Sequence, residues 1–458
     1  MTAADDLRDR LARLDPRQRR ALLDRIRPAP LTPAQFGIWL FEQLNPDTTA
    51  YHNPAALRLR GRLDLDVLRR TLELVQQRHD ALRLRLDEDD EGMPVQRVAP
   101  RAEVALDVVD AAGDPEAAVL ASVRAPFDLT AGPVWRARLV RVAPDDHVLV
   151  ITFHHIVSDG WSLGVVLGDF AVAYTALAAG CEPPLPPVRP GYLATVRAAA
   201  GPSGVDRDRL VAFWRRYLDG APSRVALPAG ARAPASGYAG GSVPFTLGAA
   251  DTAGLRAVCR SAGTTLFAGA TAVFLVCLAR LSGADDLVVT TPVAGRDDTA
   301  TQSLVGCLLN TVPVRVRLRP GGTFRDLVAA AGRSLGEALA HAALPYADIV
   351  TAAAPGRGES AVSNVMVLHG NAPTEFPPLP GLRCERYRVP VAASKHDLAL
   401  LLTPGADGLS GELEYKSELF TAAAAARLAA AFTTAARDLT GRPDAPLDGP
   451  QDSTTGAP

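Results

Sequence analysis

Two adjacent histidines and a nearby aspartate are the residues of this chain whose types and spacing best suit chemistry. His154 and His155 end a run of β-branched and apolar residues that begins at His147, and Asp159 and Gly160 follow three residues later. The run predicts a buried strand. Because successive side chains of a strand point to opposite faces, we expect one histidine to face a cavity and the other to pack.

A histidine at such a position could act as a general base. With an unperturbed pKa of about 6.5, its imidazole can accept a hydrogen bond from an amine or a hydroxyl and take its proton. General-base assistance of this kind adds about 10²–10⁴-fold to a rate. The sequence contains no phosphate loop, no Gly-x-Gly-x-x-Gly and no His-Glu-x-x-His pair. These observations favour direct transfer between two bound substrates, without a metal site or a bound cofactor.

The string His-His-x-x-x-Asp-Gly at 154–160 resembles the signature of the condensation domains of nonribosomal peptide synthetases. That superfamily also holds carrier-dependent acyltransferases, epimerization domains and chloramphenicol acetyltransferase. Segments similar to other motifs of the family extend from about residue 30 to residue 420. They lie at 31–40, 78–83, 126–133, 213–218, 291–296, 305–311, 396–398 and 413–420.

The resemblance implies an α/β fold of two chloramphenicol-acetyltransferase-like lobes in a V, with the active site in the tunnel between them. It implies that His155 is the catalytic residue, since His155 matches the active histidine of the family. His154, Asp159, Gly160 and Arg296 would support the motif, and we expect Asp159 to pair with Arg296 within about 6 Å.

Three further residues are candidates for the tunnel wall: Ser158, Trp161 and Asn310. For Asn310, a role as a turn or strand-edge residue is an equally good interpretation. No residue is assigned to a metal.

The chain of 458 residues is long enough for two domain-sized cores. We expect an N-terminal lobe over 1–180 with short amphipathic helices at 5–27, followed by a proline-rich crossover at 181–190. The C-terminal lobe is expected over 191–441. The segment 442–458, rich in Pro, Gly, Asp, Ser and Thr, is predicted to be a disordered tail.

Composition narrows the class of protein. A net charge of −2 offers no general attraction to nucleic acid or to an anionic membrane. The five cysteines are scattered without zinc-type spacing, and the chain lacks a signal region. No stretch is expected to span a bilayer, and we expect a cytoplasmic protein. Arginine supplies almost all of the positive charge, since the only lysines are Lys395 and Lys416.

The expected function is transfer of an acyl or aminoacyl group from a carrier-protein thioester to an amine or alcohol acceptor. The donor would arrive on the 4'-phosphopantetheine arm of an acyl or peptidyl carrier protein acting in trans, through docking that weakens as ionic strength rises. Alternatives are a carrier-dependent, ester-forming acyltransferase of polyketide or lipid metabolism, a peptidyl epimerase on the same fold, and a non-catalytic recruitment module. Because every signature residue is present, the recruitment module is disfavoured.

Overall fold

The chain folds into two α/β lobes, each built on its own sheet and hydrophobic core. This computed structural model describes residues 15, 27–46, 48–100, 104, 106–111, 113–200, 206–227, 238–353, 362–370, 376, 378–391, 393–406 and 408–447. The helices predicted at 5–27 fall almost entirely outside the described residues.

The first lobe carries the histidine motif. In chain order it contains β1 (Ala29–Pro30), α1 (Pro33–Leu44), β2 (His52–Gly61), α2 (Leu65–Arg78), β3 (Leu84–Glu88), β4 (Pro94–Val98), β5 (Leu106–Asp110), α3 (Glu116–Arg124), β6 (Trp135–Ala143), β7 (Asp146–His154), α4 (Gly160–Ala178) and α5 (Tyr192–Ala199).

The second lobe follows the crossover. It contains α6 (Arg207–Tyr217), β8 (Gly240–Gly248), α7 (Ala249–Ser261), α8 (Leu266–Ser282), β9 (Asp286–Val293), α9 (Thr299–Gln302), β10 (Asn310–Arg317), α10 (Phe324–Ala340), α11 (Tyr346–Ala353), β11 (Val365–His369), β13 (Leu398–Gly405), β14 (Gly408–Lys416) and α12 (Ala422–Gly441). Between β11 and β13 the chain forms β12 (Leu382–Arg386), which belongs to the sheet of the first lobe.

Two large sheets form the frame of the site. The first-lobe sheet has the strand order β12-β2-β7-β6-β5, and the second-lobe sheet has the order β10-β9-β11-β13-β14-β8. Strand β7 is central in its sheet and is buried from His147 to its last residue, His154. Its β-branched residues suit a strand that is covered on both faces, so the motif begins at a rigid strand end.

The helix after the motif begins directly at the Asp-Gly pair. Asp159 is the N-cap of α4, and its carboxylate accepts a hydrogen bond from the N–H of Ser162 at 2.8 Å. Such a cap satisfies one of the backbone donors that the first turn of a helix leaves unpaired. Phe170 and Tyr174 then anchor α4 in the first-lobe core.

The division of the chain into lobes differs from the sequence prediction in two places. Strand β12 follows most of the second lobe but pairs antiparallel with β2 of the first lobe, with Leu382 opposite Gly61. Helix α5, expected in the C-terminal lobe, packs Tyr192 and Val196 into the first-lobe core. Chain crossings of this kind join the lobes and leave no local pattern in the sequence.

The first six residues of the predicted tail, 442–447, are folded. Residues 442–447 pack against the start of α10, where the N–H of Leu447 donates to the carbonyl of Gly322 at 2.8 Å. Asp444 forms an ion pair with Arg325 at 2.6 Å. Residues 442–447 are therefore folded, contrary to the prediction, and 448–458 lie outside the described residues.

The prediction that no segment is long and apolar enough to span a bilayer was wrong for one helix, α4. By length and composition α4 could cross a bilayer, with a mean hydropathy of 1.4 in its most apolar window. Helices α7 and α8 are long and apolar enough to cross a bilayer only when they are counted together, and they are bent by 105° relative to each other. Because α4 and α8 pack into the cores of the two lobes, they have the contacts of core helices, and length and composition alone are weak evidence for a span.

Candidate active site

The two histidines of the motif diverge at the end of β7. His154 is fully buried, whereas His155 is partly exposed. The N–H of His155 donates to the carbonyl of Tyr51 at 2.8 Å, and the N–H of His154 donates to the carbonyl of Val134 at 2.9 Å. Neighbouring strands on both sides therefore hold the backbone of the pair, and the alternation expected from strand geometry orients the two rings differently.

His154 holds the loop together from within. Its Nδ1 accepts a hydrogen bond from the N–H of Ile156 at 3.1 Å, and its Nε2 lies 2.5 Å from Oε1 of Glu42. Because Nδ1 accepts, the ring proton belongs on Nε2, which donates to the carboxylate of Glu42. Gln35, also on α1, donates to the carbonyl of Ile156 at 2.8 Å. Helix α1 thus fixes the turn that carries His155.

His155 has the environment of a neutral imidazole. Its Nδ1 is buried without a hydrogen bond of normal geometry to any described residue. Burial, followed by the positive charge of Lys395, lowers the pKa of His155 to about 3. At neutral pH the ring is therefore an uncharged hydrogen-bond acceptor, since both burial and a nearby cation oppose the imidazolium form.

Asp159 and Arg296 form the predicted ion pair. Nη2 of Arg296 lies 2.9 Å from Oδ1 and 2.8 Å from Oδ2 of Asp159, and both residues are buried. Arg296 also donates to the carbonyls of Thr301, Leu304 and Gly306. The pair joins the start of α4 in the first lobe to the segment around α9 in the second lobe.

The remaining motif residues mainly support this junction. Ser158 is buried and donates to the carbonyl of His154 at 3.1 Å, and Trp161 donates from Nε1 to the carbonyl of Gln302 at 2.8 Å. Gly160 is exposed as the first residue of α4, and a Cβ there would meet no atom within 4 Å. Trp161 therefore contributes a second link between the lobes.

Asn310 lies at the start of edge strand β10. Both polar atoms of its side-chain amide form hydrogen bonds to the backbone between residues 342 and 346. Its Nδ2 donates to the carbonyls of Ala342 and Leu344, both at 2.7 Å, and its Oδ1 accepts from the N–H of Tyr346 at 3.0 Å. These contacts favour the strand-edge interpretation of Asn310 over a tunnel-wall role.

Sequence reasoning missed three residues around the histidines: Glu42, Tyr51 and Lys395. Nζ of Lys395 lies 4.3 Å from the centroid of the Tyr51 ring, and that ring meets the ring of His155 edge-on with 6.2 Å between centroids. The rarity of lysine in this chain is the one signal that could have drawn attention to Lys395.

Two other features do not form the site. The sequence matches Gly-x-Ser-x-Gly at 332–336, but this match lies inside α10, where Ser334 donates to the carbonyl of Arg315 at 2.7 Å. A nucleophilic serine of that motif occupies a strand-to-helix turn.

A cavity of about 840 Å³ lies against β10 and α10 in the second lobe, lined by arginines that include Arg317 and Arg333. None of the motif residues lines that cavity.

Comparison with known proteins identifies the family. A model of the condensation domain matches residues 26–452. This chain belongs to the condensation domains of nonribosomal peptide synthetases. It is 35% identical over 444 residues to phosphinothricin tripeptide synthetase PhsB of Streptomyces viridochromogenes, covering 94% of this chain and 37% of the synthetase. It is 34% identical over 403 residues to malpinin synthetase of Mortierella alpina, covering 85% of this chain and 5% of that synthetase.

Solved structures confirm the predicted fold. The X-domain from teicoplanin biosynthesis superimposes with a TM-score of 0.82 at 28% identity, over 92% of this chain and 97% of that one. The first condensation domain of the CDA synthetase has a TM-score of 0.79 at 24% identity, over 92% of this chain and 98% of that one. The condensation domain of this chain therefore has the two-lobed, chloramphenicol-acetyltransferase-like α/β fold, and it spans less than half the length of these curated relatives.

Proposed function

We propose that this condensation domain transfers an acyl or aminoacyl group from a carrier-protein thioester to an amine, forming an amide in natural-product biosynthesis. The observation that carries the proposal is the position of His155. It is partly exposed and uncharged at the end of a rigid strand, beside a buried ion pair that joins the two lobes. Family membership supplies the reaction class, and this geometry supplies a residue that can orient the acceptor.

The reaction needs no covalent intermediate on the protein. The lone pair of the acceptor amine attacks the thioester carbonyl carbon, a C–N bond forms, and the π electrons move onto the carbonyl oxygen. When the C=O bond re-forms, the C–S bond breaks, and the thiol of the phosphopantetheine arm leaves with the proton lost by the amine. Holding both reactants in attack geometry can supply an effective concentration on the order of 10⁵–10⁸ M.

His155 is the proposed acceptor of the hydrogen bond from the attacking amine. Because its Nδ1 is buried, Nε2 is the nitrogen offered to substrate. An imidazole whose pKa is lowered to about 3 is a weak base in the resting site, so orientation of a neutral amine contributes more than proton removal before attack. This environment favours amide over ester formation, since an alcohol depends more on proton removal.

The proposal includes the partners of the reaction. The donor is presented on the 4'-phosphopantetheine arm of an acyl or peptidyl carrier protein, supplied in trans, and the acceptor is a small-molecule or carrier-bound amine. We propose that the protein binds no cofactor or metal of its own and works in the cytoplasm. Arginines on the first-lobe surface are the proposed contacts for an acidic carrier, through salt-sensitive pairing.

A recruitment module is the second candidate function. It is favoured by the similarity to the X-domain from teicoplanin biosynthesis, of which a structure in complex with OxyB is known. The intact histidine motif of this chain and its Asp159–Arg296 pair weigh against a purely recruiting role.

The test is an assay of product formation with loaded carrier proteins. Octanoyl-, leucyl- and dipeptidyl-loaded carriers would be combined with leucyl N-acetylcysteamine and with its α-hydroxy analogue, and the products would be identified by mass spectrometry. We expect amide product with the wild-type protein. His155→Ala should turn over about 10²-fold more slowly, because the acceptor amine loses its orientation, at an unchanged melting temperature.

Three outcomes would contradict the proposal in different ways. Ester formed faster than amide would establish the ester-forming alternative. Equal turnover by His155→Ala and wild type would remove His155 from the reaction. Absence of product with every pair, together with tight binding of a partner enzyme, would favour recruitment.

A further inference from the structure

Lys395 is a cation that the proposed reaction has not yet used. It lies in the second lobe between β12 and β13, and its side chain reaches the first lobe, where Nζ stacks on the ring of Tyr51 at 4.3 Å. Lys395 is one of two lysines in a chain that otherwise uses arginine for positive charge. A compact ammonium group is therefore present at the junction of the lobes.

Tyr51 connects this cation to the proposed active histidine. The carbonyl of Tyr51 accepts from the N–H of His155 at 2.8 Å, and its ring stands perpendicular to the imidazole. Lys395 and His155 thus flank one aromatic ring, one from each lobe. The ring orients the ammonium group through a cation–π contact.

Lys395 has no carboxylate partner in close contact. Among the described residues, no Asp or Glu oxygen lies within 4.0 Å of its Nζ. Lys416 provides the contrast, since its Nζ lies 3.3 Å from Oδ1 of Asp397. The titratable and charged groups that act on Lys395, or on which it acts, are His155, Cys307, His396 and Glu414.

The proposed reaction creates a negative charge that nothing described above neutralises. Attack of the amine moves the π electrons of the thioester onto its carbonyl oxygen, and this oxyanion persists until the C–S bond breaks. His155 accepts a hydrogen bond from the attacking nitrogen, so it is not a donor to that oxygen. Electrostatic stabilisation of a developing oxyanion is commonly the largest single contribution to catalysis of acyl transfer.

We propose that Lys395 is the cation that stabilises the tetrahedral oxyanion formed on the donor thioester, with Tyr51 holding its ammonium group in place beside the ring that also contacts His155. This inference rests on the proposed acyl transfer and deepens it. It assigns complementary roles to the two lobes, because the first lobe orients the nucleophile and the second lobe supplies the charge for the electrophile.

The electrostatics of the site agree with this assignment. Burial lowers the pKa of Lys395 to about 8, and the charge of Glu414 opposes that effect. Lys395 is therefore mostly protonated at neutral pH and loses its charge as the pH rises through about 8. Burial raises the pKa of Glu414 to about 7, so Glu414 becomes anionic before Lys395 is neutralised.

The first experiment compares Lys395→Met and Lys395→Arg with wild type, using the carrier and acceptor pair that turns over fastest. We expect Lys395→Met to lower kcat by about 10²-fold with little change in the acceptor KM, and Lys395→Arg to restore part of the loss. Lys416→Met is the matched control, since Lys416 also lies over a tyrosine, Tyr238, at 5.4 Å but pairs with Asp397.

The pH profile separates an electrostatic role from a structural one. Wild-type kcat should decline as the pH rises through about 8, because Lys395 loses its proton there. Lys395→Arg should abolish this decline, and Lys416→Met should retain it. Glu414→Gln should move the decline to lower pH, because removal of that negative charge makes the ammonium form of Lys395 less stable.

A binding measurement tests the same idea without turnover. A phosphonamidate that mimics the anionic tetrahedral species should bind wild type at least about tenfold more tightly than it binds Lys395→Met, whereas the neutral amide should bind both equally. If wild type turns over, the proposed function stands and two results would overturn this inference. One is an unchanged kcat and pH profile in Lys395→Met, and the other is an equal loss of affinity for the phosphonamidate and for the neutral amide. A Lys395→Met defect confined to KM would overturn it in favour of substrate binding. Absence of wild-type product would instead count against the proposed function.

Discussion

The two adjacent histidines of the motif, His154 and His155, have different surroundings. His154, one residue away, is fully buried and spends both ring nitrogens on Glu42 and the backbone of Ile156. Nδ1 of His155 has no hydrogen bond of normal geometry to any residue that the structure describes, and the side chain remains partly exposed. The two histidines thus differ in burial and in hydrogen bonding, because adjacent positions of a strand face different surroundings.

Glu42 gives a prediction at this scale. Replacement by Ala leaves the buried N–H of His154 without an acceptor, which costs about 1–3 kcal/mol of unfolding free energy and loosens the turn before His155. Glu42→Gln keeps an amide oxygen in the same place and should retain most stability and turnover. Urea unfolding and kcat would be measured on both variants. Stability and turnover equal to wild type in Glu42→Ala would contradict the role of Glu42.

Elements of the two lobes meet through polar contacts at the start of α4. Asp159 caps that helix and binds Arg296, which in turn holds three backbone carbonyls around α9. Trp161 adds a hydrogen bond to Gln302. A motif that reads as a catalytic signature therefore also fixes the position of one lobe against the other.

The Asp159–Arg296 pair yields a prediction about stability. Removing one partner leaves the other charge buried and alone, so Asp159→Asn and Arg296→Met should each lower the unfolding free energy by about 3–5 kcal/mol. Asn retains a side-chain oxygen for the cap of α4, which limits the change to the lost charge. The double variant should cost less than the sum of the single variants. Strict additivity in chemical denaturation would show that the two side chains act independently.

Across the whole molecule, buried histidines couple stability to pH. Burial is the main cause that lowers the pKa of His52 to about 4 and the pKa values of His155 and His396 to about 3. The unfolded chain takes up protons at these sites near the ordinary pKa of 6.5, whereas the folded chain does not. Glu414 acts in the opposite direction, because its raised pKa makes the folded state bind a proton more readily.

The resulting prediction is a loss of stability on acidification. Burial also lowers the pKa of His147, so four histidines outweigh one glutamate. The unfolding free energy should therefore be highest above about pH 6.5 and should fall between about pH 6.5 and pH 5. His396→Phe removes one of these sites at similar volume and should reduce the slope. Urea titrations at several pH values provide the measurement. If the unfolding free energy stays constant or increases as the pH is lowered over this range, the histidines are solvated in the folded state.

Sequence alone determined the local features of this protein. The β-branched run before His154 predicted a strand, because the alternation of side chains along a strand depends on residues that are close in the chain. Resemblance of the segment ending at Arg296 to a family motif added the pair with Asp159, which the structure contains. Comparison with known proteins then confirmed the family and the fold.

Only the tertiary structure decided which distant residues surround the histidine. Strand β12 crosses to the first lobe, and residues 442–447 pack against α10, because backbone pairing there depends on edges that other segments create. The approach of Lys395 to Tyr51 and His155 has the same origin. Contacts between lobes are selected by the packing of two complete cores, and no periodicity within a single segment encodes how those cores meet.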